Sequence, residues 1–449
     1  MKPNILFILT DDQRCDTIHA LGNDEIQTPH LDALVARGTT FTHAHIPGGT
    51  CAAICMPSRA MIHTGRALFH LDRVGQQLPA AHATLGETFR QAGYETYHVG
   101  KWHNGRPGFV RSFTGGDEIF FGGMWDHWNV PAYRFDPTGK YDSQLPMIEN
   151  IWTSNKITLR GGDHVTAGRH STELFLDAAM NFLRQRRQDR PFYLNLAFLA
   201  PHDPRTMPER FRAMYDPARI SLPANFLPEH PFDTGNLRVR DELLAAFPRT
   251  PDEIRRHIAE YYAMISHLDD ALGRLLACLR ETGQLDNTIL VFAGDNGLAV
   301  GQHGLMGKQN LYEHSIRVPL IFAGPGIPAG QRRDAFVCLL DIFPTLCDLT
   351  GLPTPATVEG RNVFTHDREW LYLACCDGIR GVKNHRHKLI EYRQGTQVFD
   401  LQADPLERHN LAGDAALVAA LRRELLRWRD ESGDLQHPTG QQFWSAWTR

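Results

Sequence analysis

The sequence predicts an α/β protein with a doubly wound, mostly parallel sheet that carries helices on both faces, followed by a small C-terminal antiparallel sheet with one helix. Two observations support this fold class. Apolar runs of strand length alternate with segments of helical periodicity through most of the chain, which is typical of a parallel sheet covered on both faces. Beyond residue 353, short strand-like runs separated by turns indicate an antiparallel sheet.

The strands of the main sheet are predicted from continuous apolar runs such as NILFILT. Parallel strands are buried on both faces, so they lack the alternation of a half-exposed strand. The predicted strands are 4–10, 95–99, 191–199, 288–293 and 317–323. Helices are predicted at 29–38, 84–92, 171–186, 252–282 and 341–350, with Ser171 as the N-cap of the third.

Chain length and the change of pattern divide the chain into two parts. At 449 residues it exceeds the size at which one hydrophobic core usually stops growing, so we expect a large domain over 1–352 and a smaller α+β part over 353–449. The smaller part is predicted to contain strands at 369–376, 380–383, 387–393 and 396–401 and a helix at 414–431. Its tail, residues 433–449, is too aromatic for a free linker.

Residues 104–165 form a long segment that is rich in glycine, proline and aromatic residues and has little periodicity. A segment of this kind is either disordered or a functional loop, and its aromatic content argues against disorder. We therefore predict an insertion that forms one wall of a substrate pocket.

Charge, hydropathy and cysteine usage limit the partners and the compartment. The formal net charge of −4 argues against nucleic acid, and no apolar stretch reaches transmembrane length, so no membrane partner is expected. A strand-like run begins at Asn4 and leaves no room for a signal peptide, which predicts a cytoplasmic protein. Eight irregularly spaced cysteines suggest no disulfide framework and agree with that prediction. A periplasmic or secreted protein whose leader had been removed would look the same.

Four predicted strands are followed by polar side chains that can carry chemistry. Ligands of doubly wound sheets bind beyond the carboxyl ends of the strands, so these side chains are expected to meet in one site. Adjacent aspartates after the first strand repel each other unless a cation lies between them, but a helix cap beside a solvated aspartate explains that pair equally well. The four groups are Asp11 with Asp12, Lys101 with His103, His202, and Asp295 with Asn296.

The motif C-x-P-S-R-x-x-x-x-T-G spans residues 55–65. Pro57 lies where a helix could begin and Gly65 where it could end, which places Cys55 at the entrance to a short helix. The free N–H groups of a helix N-terminus and the charge of Arg59 would together bind an anion. For a cysteine considered alone, a buried thiol beside a surface arginine is the more common arrangement.

This motif resembles the signature of the type I, formylglycine-dependent sulfatases of the alkaline-phosphatase-like superfamily. The resemblance extends from Asn4 to about Glu407 and includes GKWH at 100–103, and the segment GLAVGQHGLMGKQNLYEHS is similar to glycan sulfatases of bacteria. In this family the cysteine is converted to Cα-formylglycine, whose hydrate is the nucleophile. The resemblance implies a formylglycine-generating enzyme or an anaerobic sulfatase-maturating enzyme as a partner.

Family resemblance also implies which residues form the site and that 1–352 is the catalytic domain. Calcium, with magnesium as an alternative, would be held by Asp11, Asp12, Cys55 as formylglycine, Asp295 and Asn296. The catalytic residues would be Cys55, Arg59, Lys101, His103, His202 and Lys308. In this assignment His202 protonates the leaving oxygen and His103 takes a proton from hydrated residue 55, although the two roles could be exchanged.

The implied activity is hydrolysis of a sulfate monoester to inorganic sulfate and an alcohol. A small sulfated substrate, preferably a sugar, would be chosen by the 104–165 segment, the tail from Gly433 and His303. The side chains that could stack on sugar faces, or simply pack within the protein, are Trp125, His127 and Trp128. Two alternatives remain: a phosphonate monoester or phosphodiester hydrolase with the same site, and a non-catalytic protein that binds sulfated glycans.

Overall fold

An eight-stranded sheet lies at the centre of the computed structural model, which describes residues 2–148, 150 and 152–447. The order across the sheet is β8-β2-β7-β6-β1-β5-β3-β4, and only β7 runs antiparallel to its neighbours. In chain order the strands are β1 (Asn4–Thr10), β2 (Gly38–His45), β3 (Glu95–Lys101), β4 (Gly115–Phe120), β5 (Phe192–Ala197), β6 (Thr288–Gly294), β7 (Leu320–Ala323) and β8 (Gln331–Cys338).

Strand β1 shows why the apolar runs fold as buried parallel strands. Successive side chains of a strand point to opposite faces. Ile5 and Phe7 pack in the hydrophobic core on one face of the sheet, whereas Leu6 and Ile8 pack in a separate core on the other face. All four side chains are buried, so the predicted two-sided burial of β1 is confirmed.

Helices cover both of these cores. The core that contains Leu6 also takes residues from α1, α5 and α6, and the core that contains Phe7 takes residues from α2, α3, α4 and α7. This confirms the doubly wound α/β class. The helices of seven or more residues in the described part of the chain are α1 (Pro29–Arg37), α2 (Cys55–Thr64), α3 (Leu85–Gln91), α4 (Arg106–Ser112), α5 (Ser171–Gln185), α6 (Pro251–Glu281), α7 (Ile342–Leu349), α8 (Ala415–Ser432) and α9 (Pro438–Ala446).

The N-cap of α5 differs from the prediction. Ser171 is the first helical residue, and the cap is His170, whose side chain accepts a hydrogen bond from the backbone N–H of Thr172. The Ser171 hydroxyl is instead hydrogen-bonded to Nδ1 of His127 at 2.7 Å. Because Ser171 already belongs to the helix, the cap position falls to the residue before it, and the prediction of Ser171 as N-cap was wrong.

Residues 104–165 contribute regular elements to the main sheet as well as connecting loops. Helix α4 lies in this segment, and β4 forms the edge strand next to β3. The remainder includes two short antiparallel pairs, Gln144–Met147 with Thr158–Gly161 and Pro131–Ala132 with His164–Val165.

His164 links the second of these pairs to β4 and makes a pH-dependent contribution to stability. Its ring contacts the carboxylates of Glu118, at 2.9 Å, and of Asp163, which raise its pKa to about 9. A raised folded-state pKa stabilises the protein below about pH 6.5, and the stabilisation is lost as the pH rises through about 9. Because the site is partly exposed, we expect His164→Gln to lower the free energy of unfolding by about 1 kcal/mol at pH 6 and by much less at pH 10. Denaturant unfolding at both pH values checks this, and an equal loss at both would contradict it.

The C-terminal part forms the predicted antiparallel sheet, with an additional strand from the main domain. Its strands are β9 (Leu371–Cys375), β10 (Ile379–Lys383), β11 (His387–Tyr392) and β12 (Thr396–Asp400). The two-residue strand Gly48–Gly49 pairs in parallel with β9, so a segment close to Cys55 completes this sheet. Helices α8 and α9 follow, and in α9 buried Phe443 packs near Arg380 while half-buried Trp444 donates a hydrogen bond to Asp434.

No helix in the described part of the chain combines the length and the apolar character needed to cross a bilayer.

Candidate active site

Four adjacent strands of the main sheet deliver the predicted polar residues to one edge. The register aligns Gly100 of β3, Ala197 of β5, Leu9 of β1 and Ala293 of β6 in a single row. The chain leaves each strand just beyond this row, at its carboxyl end. The side chains predicted to meet there are brought together, as the hydrogen bond from the backbone N–H of Asp12 to Oδ1 of Asp295 at 3.1 Å shows.

A buried cluster of oxygen ligands forms the floor of the site. Oδ1 of Asp11 and Oδ1 of Asn296 are buried and have no hydrogen-bond partner. Ligand atoms of Asp11, Asp295 and Cys55 lie within 4.8 Å of one another, as do those of Asp11, Asp12 and His202. Unsatisfied buried oxygens are costly, and carboxylate and amide oxygens are the ligands that hard divalent cations prefer. The donor set therefore fits such a cation.

Three basic side chains balance the carboxylates of the floor. The Lys101 ammonium is hydrogen-bonded to Asp11, and Nε of Arg59 lies 2.8 Å from Oδ2 of Asp295. Nζ of Lys308 donates to Oδ1 of Asp12 at 2.6 Å. Because these cations pair with the carboxylates, the cluster is able to remain ionised while buried.

The pKa values of Asp11 and Asp295, two carboxylates of the floor, are shifted in opposite directions. Burial alone would raise the pKa of Asp11, but the charges of Lys101 and Arg59 outweigh burial and hold it well below its ordinary value. Burial, with the nearby negative charge of Asp11, raises the pKa of Asp295 to about 6. A bound cation would favour the charged form of both carboxylates.

Helix α2 places Cys55 above this floor. The helix begins at Cys55, two residues earlier than predicted, and ends at Gly65, whose φ of 63° suits glycine. Sγ of Cys55 lies 3.4 Å from Nζ of Lys101 and 3.5 Å from Nδ1 of His103. Burial raises the pKa of the Cys55 thiol, so an unmodified cysteine would be mostly neutral at neutral pH.

Arg59 is fully buried, which excludes the alternative of a surface arginine beside a buried thiol. It binds Asp295 through Nε and donates from Nη1 to the backbone carbonyl of Lys101 at 2.9 Å. The side chain therefore connects α2 to the ends of β3 and β6.

Gly100 allows β3 to approach β5 closely, just before Lys101. Its φ is 94°, and a Cβ there would lie 2.0 Å from the carbonyl oxygen of Ala197. Lys101 and His103 both face Cys55, as the alternation of side chains predicts. Burial and the charge of Lys101 hold the pKa of His103 well below its ordinary value, so its imidazole is neutral at neutral pH.

His202 lies on the opposite side of the floor. Its Nδ1–H donates to the carbonyl of Asp203 at 2.8 Å, and its Nε2 lies 3.5 Å from Oδ2 of Asp12. Behind it, Nε2–H of His127 donates to the His202 carbonyl at 2.9 Å, which leaves Nδ1 of His127 to accept from the Ser171 hydroxyl.

A cavity of about 240 Å³ opens above Cys55 and is lined by His103, His202 and Lys308. Residues that the sequence analysis did not single out also line it, and three of them come from the segment 204–250, which has no periodicity that would place its side chains. These additional residues are Ala52, Ala53, Gly123, Met124, Val239, Arg240, Asp241 and Gln309. The one feature of the sequence that could have indicated a functional position in that segment is the charged triplet Arg240-Asp241-Glu242.

The four residues predicted to bind substrate do not line this cavity. His303 is buried and stacks on Tyr312 with ring centroids 4.0 Å apart. Trp125 packs under the guanidinium of Arg160 at 5.2 Å. The contacts of Trp128 and His127 are with the start of α5: Trp128 packs on His170, and His127 holds Ser171. The geometry therefore supports the packing alternative for Trp125, His127 and Trp128, and His303, which was predicted to choose the substrate, also packs inside the protein.

A comparison with protein-family models decides which family the chain represents. The model of the sulfatase family matches residues 3–352. The chain belongs to the sulfatase family. A second model, described as the C-terminal region of N-sulphoglucosamine sulphohydrolase, matches residues 301–431 of this sulfatase. The resemblance found in the motif at 55–65 is thus confirmed, and the protein is a sulfuric ester hydrolase.

Individual relatives agree with this placement. The sulfatase is 24% identical to the N-acetylglucosamine-6-O-sulfatase of Bacteroides thetaiotaomicron, with 96% of this chain and 86% of the relative covered. A solved structure described as a complex with its substrate D-glucosamine-2-N,6-O-disulfate shares 22% identity and a TM-score of 0.74, covering 97% and 99% of the two chains. The phosphonate monoester hydrolase of Agrobacterium radiobacter gives 23% identity and a TM-score of 0.75, with 96% of each chain covered. Both structures have the alkaline-phosphatase-like fold that the sequence predicts.

Proposed function

We propose that this sulfatase hydrolyses a sulfate monoester of a carbohydrate, using formylglycine formed from Cys55 and a bound calcium ion. The observation that carries the proposal is the convergence of Cys55 with Lys101 and the carboxylates of Asp11 and Asp295 at the carboxyl edge of the sheet. The name of the Bacteroides relative, an N-acetylglucosamine-6-O-sulfatase, supports a sugar as the alcohol.

The proposed cofactors and the side chains of the protein would have different roles in the reaction. Hydrated formylglycine would supply the nucleophilic oxygen, and calcium held by Asp11, Asp12, Asp295 and Asn296 would act as a Lewis acid on that oxygen and on sulfate. Magnesium is the alternative cation. Arg59 would fix the orientation of residue 55, because its guanidinium is buried and bonded to Asp295 and to the carbonyl of Lys101.

Two lysines would neutralise the sulfate. Nζ of Lys101 is 3.4 Å from Sγ of Cys55, and Lys308 lines the same cavity. Burial would lower the pKa of Lys308, but the charge of Asp12 outweighs burial and raises it well above its ordinary value. Lys308 is therefore charged throughout the neutral range and able to stabilise charge that develops on sulfate oxygens.

The positions of the two histidines support the predicted division of proton transfer. His103 contacts residue 55 directly and has a neutral imidazole, which suits a base that takes a proton from that residue. His202 lies on the other wall of the cavity and is proposed to protonate the leaving oxygen.

Sulfate release from a panel of regiochemically defined sulfated sugars tests the proposal. Release from at least one member, with loss of activity in a Lys308→Ala variant, is expected. The panel should include an aryl sulfate and the matching aryl phosphonate, because the likeness in fold to a phosphonate monoester hydrolase favours that activity as the second candidate. A higher kcat/KM on the phosphonate would replace the first proposal by the second.

His127 is expected to act as a positioning residue for His202. His127→Phe removes the hydrogen bond to the His202 carbonyl and that from Ser171. Displacement of a catalytic group should lower kcat about 10- to 100-fold with little change in KM. His127→Gln, which keeps an N–H donor, should recover part of this loss, and neighbouring Trp128→Phe should have no comparable effect. If Phe and Gln variants were equally impaired, the positioning role would be wrong.

A further inference from the structure

We propose that Asp203, Arg240 and Asp241, here named the Arg240 rim, select sulfate esters whose alcohol part carries no negative charge of its own. The inference rests on the proposed function, because it concerns the alcohol part of the same ester. Arg240 and Asp241 line the cavity above Cys55, and Asp203 binds Arg240 from behind. None of the three belongs to the floor that faces sulfate.

The contacts of the Arg240 rim fix one guanidinium between two carboxylates. Arg240 binds Asp203 in a bidentate pair, with Nη1 to Oδ2 at 2.5 Å and Nη2 to Oδ1 at 2.8 Å. Nη2 also donates to Oδ1 of Asp241 at 2.6 Å. The Arg240 side chain is 47% exposed, whereas Asp203 and Asp241 are 7% and 13% exposed. The rim is thus rigid at its base and accessible at the guanidinium.

Both aspartates of the rim are ionised at neutral pH. Burial alone would raise the pKa of Asp203, but the hydrogen bonds from Arg240 and the charge of His202 outweigh it and lower that pKa. The charge of Lys308 and the hydrogen bond from Gln309 similarly overcome burial and lower the pKa of Asp241. Two carboxylates against one guanidinium leave the rim with one net negative charge.

Charge therefore differs between the two parts of the cavity. In the floor, Lys101, Lys308 and Arg59 balance three carboxylates, and a bound cation would make it positive and attract the sulfate group. The rim repels a second anion but offers carboxylate acceptors and guanidinium donors, which suit the hydroxyl groups of a sugar. Like charges placed together across a binding surface oppose binding strongly.

The cavity itself holds only the part of the alcohol next to the sulfate, and a larger alcohol would extend through its open mouth past the rim. Its volume is about 240 Å³. Pockets that hold drug-sized ligands have volumes of about 300–1,000 Å³. There is thus room for the sulfate and one small ring, and a charged substituent on that ring would lie close to the rim.

The test compares two aryl sulfates that differ only by a ring carboxylate, 4-nitrophenyl sulfate and its carboxylated analogue. For each enzyme we divide kcat/KM on the charged substrate by kcat/KM on the neutral one. The two leaving groups differ in reactivity, but this difference affects the ratio equally in every enzyme, so a change of the ratio between wild type and variant reports on the rim. Asp241→Asn removes one negative charge and is expected to raise this ratio about tenfold, whereas Arg240→Gln removes the positive charge and is expected to lower it about tenfold. Asp233→Asn, an exposed aspartate in the same segment, should leave the ratio unchanged.

Binding provides a second readout that does not depend on turnover. Calorimetric titration of both aryl sulfates into the Cys55→Ala protein and into its double variants with Asp241→Asn and Arg240→Gln should show the same opposite changes in relative Kd. Unchanged ratios in both variants, or changes opposite in sign to those expected, would overturn the inference. Tighter binding of the carboxylated analogue than of the neutral sulfate by the Cys55→Ala protein would also overturn it, because Arg240 would then attract the second anion. If the wild-type protein neither hydrolysed nor bound the neutral aryl sulfate, the proposed function itself would fail.

Discussion

Cys55→Ala is expected to abolish sulfate release while the fold is retained. The side chain supplies the carbon that would become the aldehyde, and Lys101, His103 and the aspartate cluster are arranged around it. We expect a loss of at least about 10⁴-fold in kcat, the scale seen when a covalent nucleophile is removed. Sulfate release and the melting temperature measured on the same preparations check this.

Cys51→Ala is the matched control, because Cys51 is a nearby cysteine that does not line the cavity. This variant should keep wild-type rates. In the active protein, mass spectrometry of the peptide that contains residue 55 should show about 18 Da less than the cysteine form, the difference between a thiol and an aldehyde. Near-wild-type activity of Cys55→Ala, or an active protein with only thiol at position 55, would exclude formylglycine as the nucleophile.

Removal of the proposed calcium ion is expected to have the second-largest effect. Chelation should lower kcat at least about 100-fold, because the Lewis acid is lost. Calcium that binds only the folded protein should also stabilise it, by about 2.7 kcal/mol at 100 times its Kd. Differential scanning calorimetry with and without calcium checks this independently of activity.

Asp295→Asn should remove most of the calcium-dependent rise in melting temperature, because it weakens one oxygen ligand of the floor and a partner of Arg59. Asp286→Asn is the control, since that aspartate is fully exposed. A calcium-dependent rise that is identical in wild type and Asp295→Asn would show that the ion binds elsewhere. The same calorimetric measurement with magnesium in place of calcium identifies the preferred cation.

The floor of the site was predictable because its residues follow predicted strands, with clear apolar runs before Asp11 and Asp295 and the mixed run ETYHV before Lys101. Asp11, Lys101 and Asp295 lie just beyond a single aligned row of the sheet, and parallel strands place their carboxyl ends together. A family motif was required for Cys55, because a lone cysteine at a helix start carries little information by itself.

The parts that the sequence did not reveal depend on contacts between distant segments. Strand β2 reads GTTFTHAH, which lacks the apolar run of a central strand, and its position is set by pairing with β7 and β8. His303 belongs to a loop of the kind that often reaches a substrate, but stacking on Tyr312 holds it in the interior. Arg240 lies in an irregular segment, and ion pairs with Asp203 and Asp241 fix its direction.

The pairing of Gly48–Gly49 with β9 has a consequence for the order in which the protein matures. As the ribosome synthesises the chain, the segment leading to Cys55 emerges early, but its partner strand follows more than 300 residues later. Cys55 is 3% exposed in the finished fold, so a modifying enzyme would have no access to it there. We therefore expect the proposed modification of residue 55 to precede the pairing with β9, and a shortened chain without β9 should prolong the interval for it.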